Sequence, residues 1–199
     1  SDPRLKPFFS TPFRKLYDAK HRAVLNSNGK YLAFLDVDDW WQPDKLMRQI
    51  NAMNKEKNHI SCTNYWIVNE KKNYIKKAFK IGFKKNNSFN VALNKYFIGM
   101  SSLVISSKIY HQLKYGFDAS FEVIGDYDLV LRILRNNKIT YLNEALSYYR
   151  WHDSNLSHKK FRLNILELIR WKNKLSKDEK FFSSPNLTYI EDPLVYLMS

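Results

Sequence analysis

Three carboxylates fall within four positions of this chain, Asp36, Asp38 and Asp39. They follow an unbroken apolar and aromatic run, Tyr31 to Leu35, and lead into Trp40 and Trp41. A short continuous apolar run reads as a strand buried on both faces, the state of a central strand in a parallel sheet. Carboxylates at the C-terminal end of such a strand stand where open α/β sheets bind ligands. Hard divalent cations take oxygen ligands, and Mg²⁺ uses one or two carboxylates together with substrate phosphates. The stretch therefore predicts a metal–phosphate site. The same residues also suit a strand-to-helix turn with a helix cap, and the local pattern alone leaves both readings open.

The elements that must position these residues are legible in order. Phe13–Asn26 carries a helical stripe of Phe13, Leu16, Tyr17, Ala23 and Val24, and Asn28-Gly29 ends it. The strand Lys30–Asp36 follows. Pro43 suits the first turn of a helix whose apolar face is Leu46, Met47, Ile50 and Met53. Ile60–Val68 reads as a strand with a short return at Tyr74–Ile75, then a basic loop over Lys76–Asn87. Ser88 caps a short helix to Tyr96, Ser101–Ile105 is a strand, and Ser106 caps another short helix. Asp126–Arg135 is a helix, Ile139–Leu142 and Leu146–Tyr149 are strands, and Phe161–Leu175 is an amphipathic helix.

Composition bounds the function. A chain of 199 residues with 16% aromatics is long enough for one globular domain with a proper core. Cys62 is the single cysteine, so no disulfide forms within the chain, which fits a reducing compartment. No signal-peptide pattern is found, and no apolar run is long enough to span a bilayer. A cytoplasmic location is expected, with peripheral contact at the inner face of the membrane. The net charge of +14 favours polyanionic partners: anionic lipid surfaces, phosphate-rich substrates or nucleic acid. No nucleic-acid motif accompanies it, and no nucleic-acid partner is expected. A solvated basic surface accounts for the charge equally well.

Three stretches together carry a resemblance. Asp36–Lys45, DVDDWWQPDK, continuing to Gln49, is similar to the metal-binding segment "LD.DDWW.PDKL..Q" of family 2 inverting glycosyltransferases with the GT-A fold. Phe117–Arg132, FDASFEVIGDYDLVLR, resembles the family's "FD..F...ED.DL..R", whose second acidic residue is the catalytic base. Tyr148–Ser157, YYRWHDSNLS, resembles "YR.H..S.S". The resemblance implies Asp38 and Asp39 as metal ligands for Mn²⁺ or Mg²⁺, and Asp36 on the nucleotide's ribose or the metal. It implies Asp126 as the base, and Arg150 and His152 facing the diphosphate. Lys20, within Ala19-Lys20-His21, stands where the family often has "ARN" and keeps the positive charge without a bidentate phosphate grip. Trp40, Trp41 and Trp151 are candidates for stacking on sugar. From the residues alone, Asp126 also serves as a helix cap and Asp128 as a dipole partner.

The implied fold is α/β, a mostly parallel sheet flanked by helices, of a truncated GT-A (nucleotide-diphospho-sugar transferase) type. Residues 1–160 form the partial catalytic domain and 161–199 a C-terminal helix and tail. The family begins with a nucleotide-binding βαβ unit, and nothing like it precedes Phe13. Gly125 stands where the family commonly has Glu, which leaves the secondary acidic contact without its residue. The implied activity is inverting transfer of a sugar from a nucleoside diphosphate donor to a glycan or lipid-linked acceptor. The open edge left by the absent unit predicts marginal folding and association, as a homodimer covering that edge. A second reading is an inactive relative acting as a basic binding or scaffold module. A haloacid-dehalogenase-type phosphatase fits poorly, since Trp40 and Val130 stand where its pattern needs other residues.

Overall fold

The computed structural model describes residues 2–7, 15–79 and 88–175. The expected helix start at Phe13, the irregular stretch before it, the basic stretch 80–87 and the tail 176–199 fall wholly or partly outside the described residues. Helix α1 spans Leu16–Leu25 and strand β1 Tyr31–Ala33. Strand β2 is Trp40–Trp41, α2 is Lys45–Glu56, β3 is Ile60–Asn69 and β4 is Tyr74–Lys77. Helix α3 covers Ser88–Asn94, a 3₁₀ turn Met100–Ser102, strand β5 Val104–Ser106 and α4 Ser107–Gln112. Helix α5 is Gly125–Leu134, β6 Ile139–Arg150, α6 Leu156–Lys159 and α7 Phe161–Leu175.

The strands form one sheet in the order β1-β5-β3-β6-β2, with β4 paired to β3. The α/β class expected from the sequence is the one that forms. Its sheet is mixed rather than mostly parallel: β3 and β6 run parallel, and every other pairing is antiparallel. The hairpin from β3 to β4 is one of these antiparallel pairs, and it needs no helical crossover. The two strands expected after Asn137 are one long strand, β6. Its pairing with β3 shifts register between Thr63 and Tyr65. There the Asn64 side chain bonds the backbone of Phe79 and Tyr65, satisfying groups the irregularity frees.

Strand β1 corrects the reading of a central strand buried on both faces. It lies at one end of the sheet, bonds only β5 and stops at Ala33. Leu32 is buried, but Leu35 is 48% exposed and Val37 fully so. The apolar run outlasts the strand because β5 supplies only three residues of pairing. The acidic residues therefore sit in a turn beyond the strand, where Asp39 N–H donates to Asp36 O.

Helix α2 also departs from expectation. Lys45, Gln49 and Met53, at i, i+4 and i+8, are its buried face, and Met47 is 60% exposed. The two polar residues are only partly matched inside: Gln49 Oε1 and Lys45 Nζ are buried without a hydrogen-bond partner. Gln49 Nε2 donates to Ser61 Oγ at 3.1 Å and to Ser102 O at 3.0 Å. Lys45 Nζ lies 4.2 Å from the centre of the Trp41 ring.

The core gathers around α5, whose Leu129, Val130, Leu131, Ile133 and Leu134 are all buried. Helix α7 belongs to this packed body. Leu168 and Trp171 join the core, and Trp171 meets the Tyr127 ring at 5.0 Å. The Glu167 carboxylate accepts the backbone N–H groups of Glu122, Val123 and Ile124, at 2.7, 2.9 and 3.2 Å. These groups lead into the N-terminus of α5, where negative charge is favoured. No described helix is long and apolar enough to cross a membrane.

Candidate active site

Two of the three sequence clusters meet directly. Strand β2 pairs with the end of β6 in antiparallel register, Trp40 opposite Tyr148 and Trp41 opposite Ser147. The Trp40 and Tyr148 rings stack at 4.9 Å with a 6° interplanar angle. This two-residue ladder carries the acidic turn onto the segment Arg150–His152. Asp38 Oδ2 then lies 2.9 Å from His152 Nε2. Asp38 O accepts Arg150 Nε–H at 3.1 Å, and Asp39 Oδ1 accepts the Arg150 backbone N–H at 3.0 Å. The Arg150 guanidinium also pairs with Glu70 at 3.2 Å and lies over the Trp40 ring at 5.3 Å.

The loop after β6 fixes His152. Asn155 Oδ1 accepts the His152 backbone N–H at 2.6 Å, and Ser154 Oγ lies 2.6 Å from Nδ1. Partners on both ring nitrogens set the imidazole's orientation. Trp151 hangs its backbone N–H on Val68 O at 2.7 Å, and Lys72 lies 5.5 Å from its ring.

The three aspartates have different surroundings. Asp36 Oδ1 accepts Lys20 Nζ at 2.8 Å, a link from the acidic turn to α1. Asp38 faces His152. Asp39 is turned inward to Arg150 N–H and Ser101, and burial pushes its carboxyl up to about 6 against the opposing pull of those hydrogen bonds. Ser101, in the 3₁₀ turn, ties the turn together: its Oγ accepts Asp36 N–H at 3.2 Å and its carbonyl accepts Trp41 Nε1–H at 2.7 Å. Sequence reading placed Ser101 in a strand and gave it no part in the site. Its only signal was a polar Ser-Ser pair before an apolar strand.

Asp126 sits in the first turn of α5, against α1. Its Oδ1 accepts the Tyr17 hydroxyl at 3.0 Å and the Tyr127 N–H at 2.9 Å. Burial raises its pKa, opposed by these hydrogen bonds and by the nearby Lys20 ammonium. Lys20 thus stands between Asp36 and Asp126, and α1 joins the second cluster to the first. Asp128 is occupied structurally, paired with Arg132 at 2.7 Å and accepting Trp171 Nε1–H at 3.1 Å. Tyr17 was read from the sequence only as part of an apolar stripe. Its position one turn before Lys20 was the available signal.

Among the described residues, no three His, Cys, Asp or Glu side chains converge as a metal cage. The Asp38–His152 pair offers one carboxylate and one imidazole at a single point. That donor set fits a divalent cation that completes its shell with phosphate oxygens and water.

The family described as "Glycosyl transferase family 2" matches over residues 1–113. The Escherichia coli protein named UDP-Glc:alpha-D-GlcNAc-diphosphoundecaprenol beta-1,3-glucosyltransferase WfaP is 35% identical over 163 residues, covering 79% of this chain and 58% of that protein. A second E. coli protein of the same description, WfgD, is 30% identical over 164 residues, covering 81% and 62%. The chain therefore spans about three fifths of the length of these relatives. The crystal structure of S. aureus TarS 1-349 in complex with UDP-GlcNAc superposes with a TM-score of 0.54 at 13% identity, over 68% of this chain and 39% of that one. The UDP complex gives 0.53 at 14%, over 76% and 44%. At these identities the likeness is one of fold, GT-A.

Proposed function

The chain belongs to glycosyl transferase family 2, and from that premise we propose that it transfers a sugar, with inversion, from a UDP-sugar to a lipid-linked glycan acceptor. The observation that carries the reading is the junction of Asp38 with His152, which brings the acidic turn to the basic end of β6. Donor and acceptor class follow from what the relatives are named for and what the fold's solved neighbours bind.

The chemistry divides among this chain's residues. Asp126 takes the proton of the acceptor hydroxyl as that oxygen attacks the anomeric carbon. Burial makes its carboxylate a stronger base than an exposed one. The bond from the anomeric carbon to the diphosphate breaks on the opposite face, and the electron pair leaves with the nucleoside diphosphate. Lys20 and Arg150 neutralise that growing negative charge. Asp38 and His152 would hold Mn²⁺ or Mg²⁺, with Asp39 as the further candidate and Asp36 on the ribose. The cation's contribution is charge neutralisation at the diphosphate. Trp40 stacks on Tyr148, Trp41 lies beneath Lys45 and Trp151 beneath Lys72, and all three stay candidates for stacking on sugar.

Asp126→Asn tests the reading, because the amide keeps shape but cannot take the proton. Transfer from UDP-glucose to a GlcNAc-diphosphate-polyprenol acceptor is expected to fall at least about 100-fold, with UDP affinity unchanged. Near-normal turnover in the variant would return Asp126 to a structural role. A wild-type protein that neither binds UDP nor turns over donor would favour a non-catalytic module.

A further inference from the structure

Helix α1 meets the start of α5 through one contact that the reaction scheme above leaves unused. A Cβ built on Gly125 would fall 2.4, 2.6 and 2.7 Å from ring carbons of Tyr17. Gly125 has no positive φ, so the glycine is required here for room and not for backbone conformation. The Tyr17 ring is held in place: it is 5% exposed and stacks on Phe117 at 5.5 Å. Its hydroxyl reaches Asp126 Oδ1 at 3.0 Å and Val123 O at 2.8 Å.

We infer that Tyr17 is the positioning residue of Asp126. Its ring takes the volume a side chain at position 125 would fill, and its hydroxyl fixes Oδ1. The inference rests on Asp126 acting as the base. The hydrogen bonds from the Tyr17 hydroxyl and Tyr127 N–H both fall on Oδ1, and the carboxylate also lies against its own backbone N–H. With Oδ1 so engaged, Oδ2 is the oxygen left for the acceptor hydroxyl. A phenol is a neutral donor, so it orients the carboxylate without adding a second negative charge beside it. The other ionisable groups around Asp126 are Lys20 on the same face of α1, Asp36 bonded to it, and Tyr96.

The hydroxyl is tested by Tyr17→Phe, which keeps the ring. The melting temperature should be close to wild type and KM for the UDP-sugar unchanged, while kcat falls about 10- to 100-fold. The Asp126 carboxyl ¹³C titration, assigned against Asp126→Asn, should move to higher pH, because a hydrogen bond to the charged form has been removed. That titration needs no turnover. An inactive wild type with a shifted titration would overturn the proposed activity and keep the Tyr17–Asp126 coupling; an unshifted titration with normal kcat would overturn the coupling. The steric half is read by melting temperature. Gly125→Ala should lower it, and Tyr17→Leu should recover part of the loss when combined with Gly125→Ala. Purely additive losses would show that ring and glycine do not share the space.

Discussion

His152 Nε2 lies 2.9 Å from Asp38 Oδ2, although the two residues are 114 positions apart. The contact is secured from both sides. On one side β2 pairs with β6; on the other Asn155 and Ser154 hold the histidine. In the proposed function this carboxylate and imidazole would hold the cation beside the diphosphate. His152→Ala and Asp38→Ala are each expected to lower Mn²⁺-dependent UDP affinity about 10- to 100-fold. The double variant should lose little more than either single one, because the two act as a unit. Calorimetric titration with and without chelator reads this directly. Unchanged affinity in both single variants would remove the pair as ligands.

Lys45 makes the stability depend on pH. It is fully buried, and burial lowers its pKa from 10.5 to about 7. Between those values the unfolded chain binds a proton that the folded chain does not. Stability therefore rises as pH increases through that window and is lost as pH falls back toward 7. Lys45→Met keeps the length of the side chain and removes the amine. Urea midpoints measured from pH 7 to 10 should climb less steeply in the variant. Parallel curves would mean that Lys45 stays charged when folded, held by Trp41.

Glu167 ties α7 to the segment that leads into the helix carrying Asp126. Glu167 is 4% exposed, and its carboxylate accepts the backbone N–H groups of the three residues just before α5. Charge-assisted hydrogen bonds at such a site stabilise well above the neutral average. Glu167→Gln is expected to cost about 2 kcal/mol, and Glu167→Ala more, as all three N–H groups lose their acceptor. Denaturant unfolding measures both. A loss in both variants too small to resolve would mean that water replaces the carboxylate at no cost.

The outer edge of β1 has no strand partner among the described residues. The exposed Ala33 and half-exposed Leu35 along this edge invite another chain. The 199-residue chain is expected to self-associate as a homodimer across this edge. Light scattering should give a mass above that of the monomer, and Leu35→Lys, at an exposed position, should reduce it. A monomer at all accessible concentrations would show that the edge is protected.

Sequence alone marked the candidate residues of the three clusters. The acidic run, the FD…GDYDL stretch and the YRWH segment are local strings, and their side chains declare carboxylate, imidazole and guanidinium without reference to any neighbour. It also determined most helices, because periodicity along α1, α5 and α7 is a property of adjacent turns. Which of these groups meet was decided by tertiary structure. Pairing β2 with β6 turns Asp38 toward His152 and Asp39 toward the Arg150 backbone, a distinction invisible in the string DVDD. Placing β1 at the end of the sheet exposes Leu35, although its apolar run reads like that of a buried strand. Burying Lys45 depends on the Trp41 ring above it, and orienting Asp126 depends on Tyr17 and the bare face of Gly125. Each of these rests on contacts between residues distant in sequence or on opposite elements, and hydrophobic period and turn chemistry carry no record of such contacts.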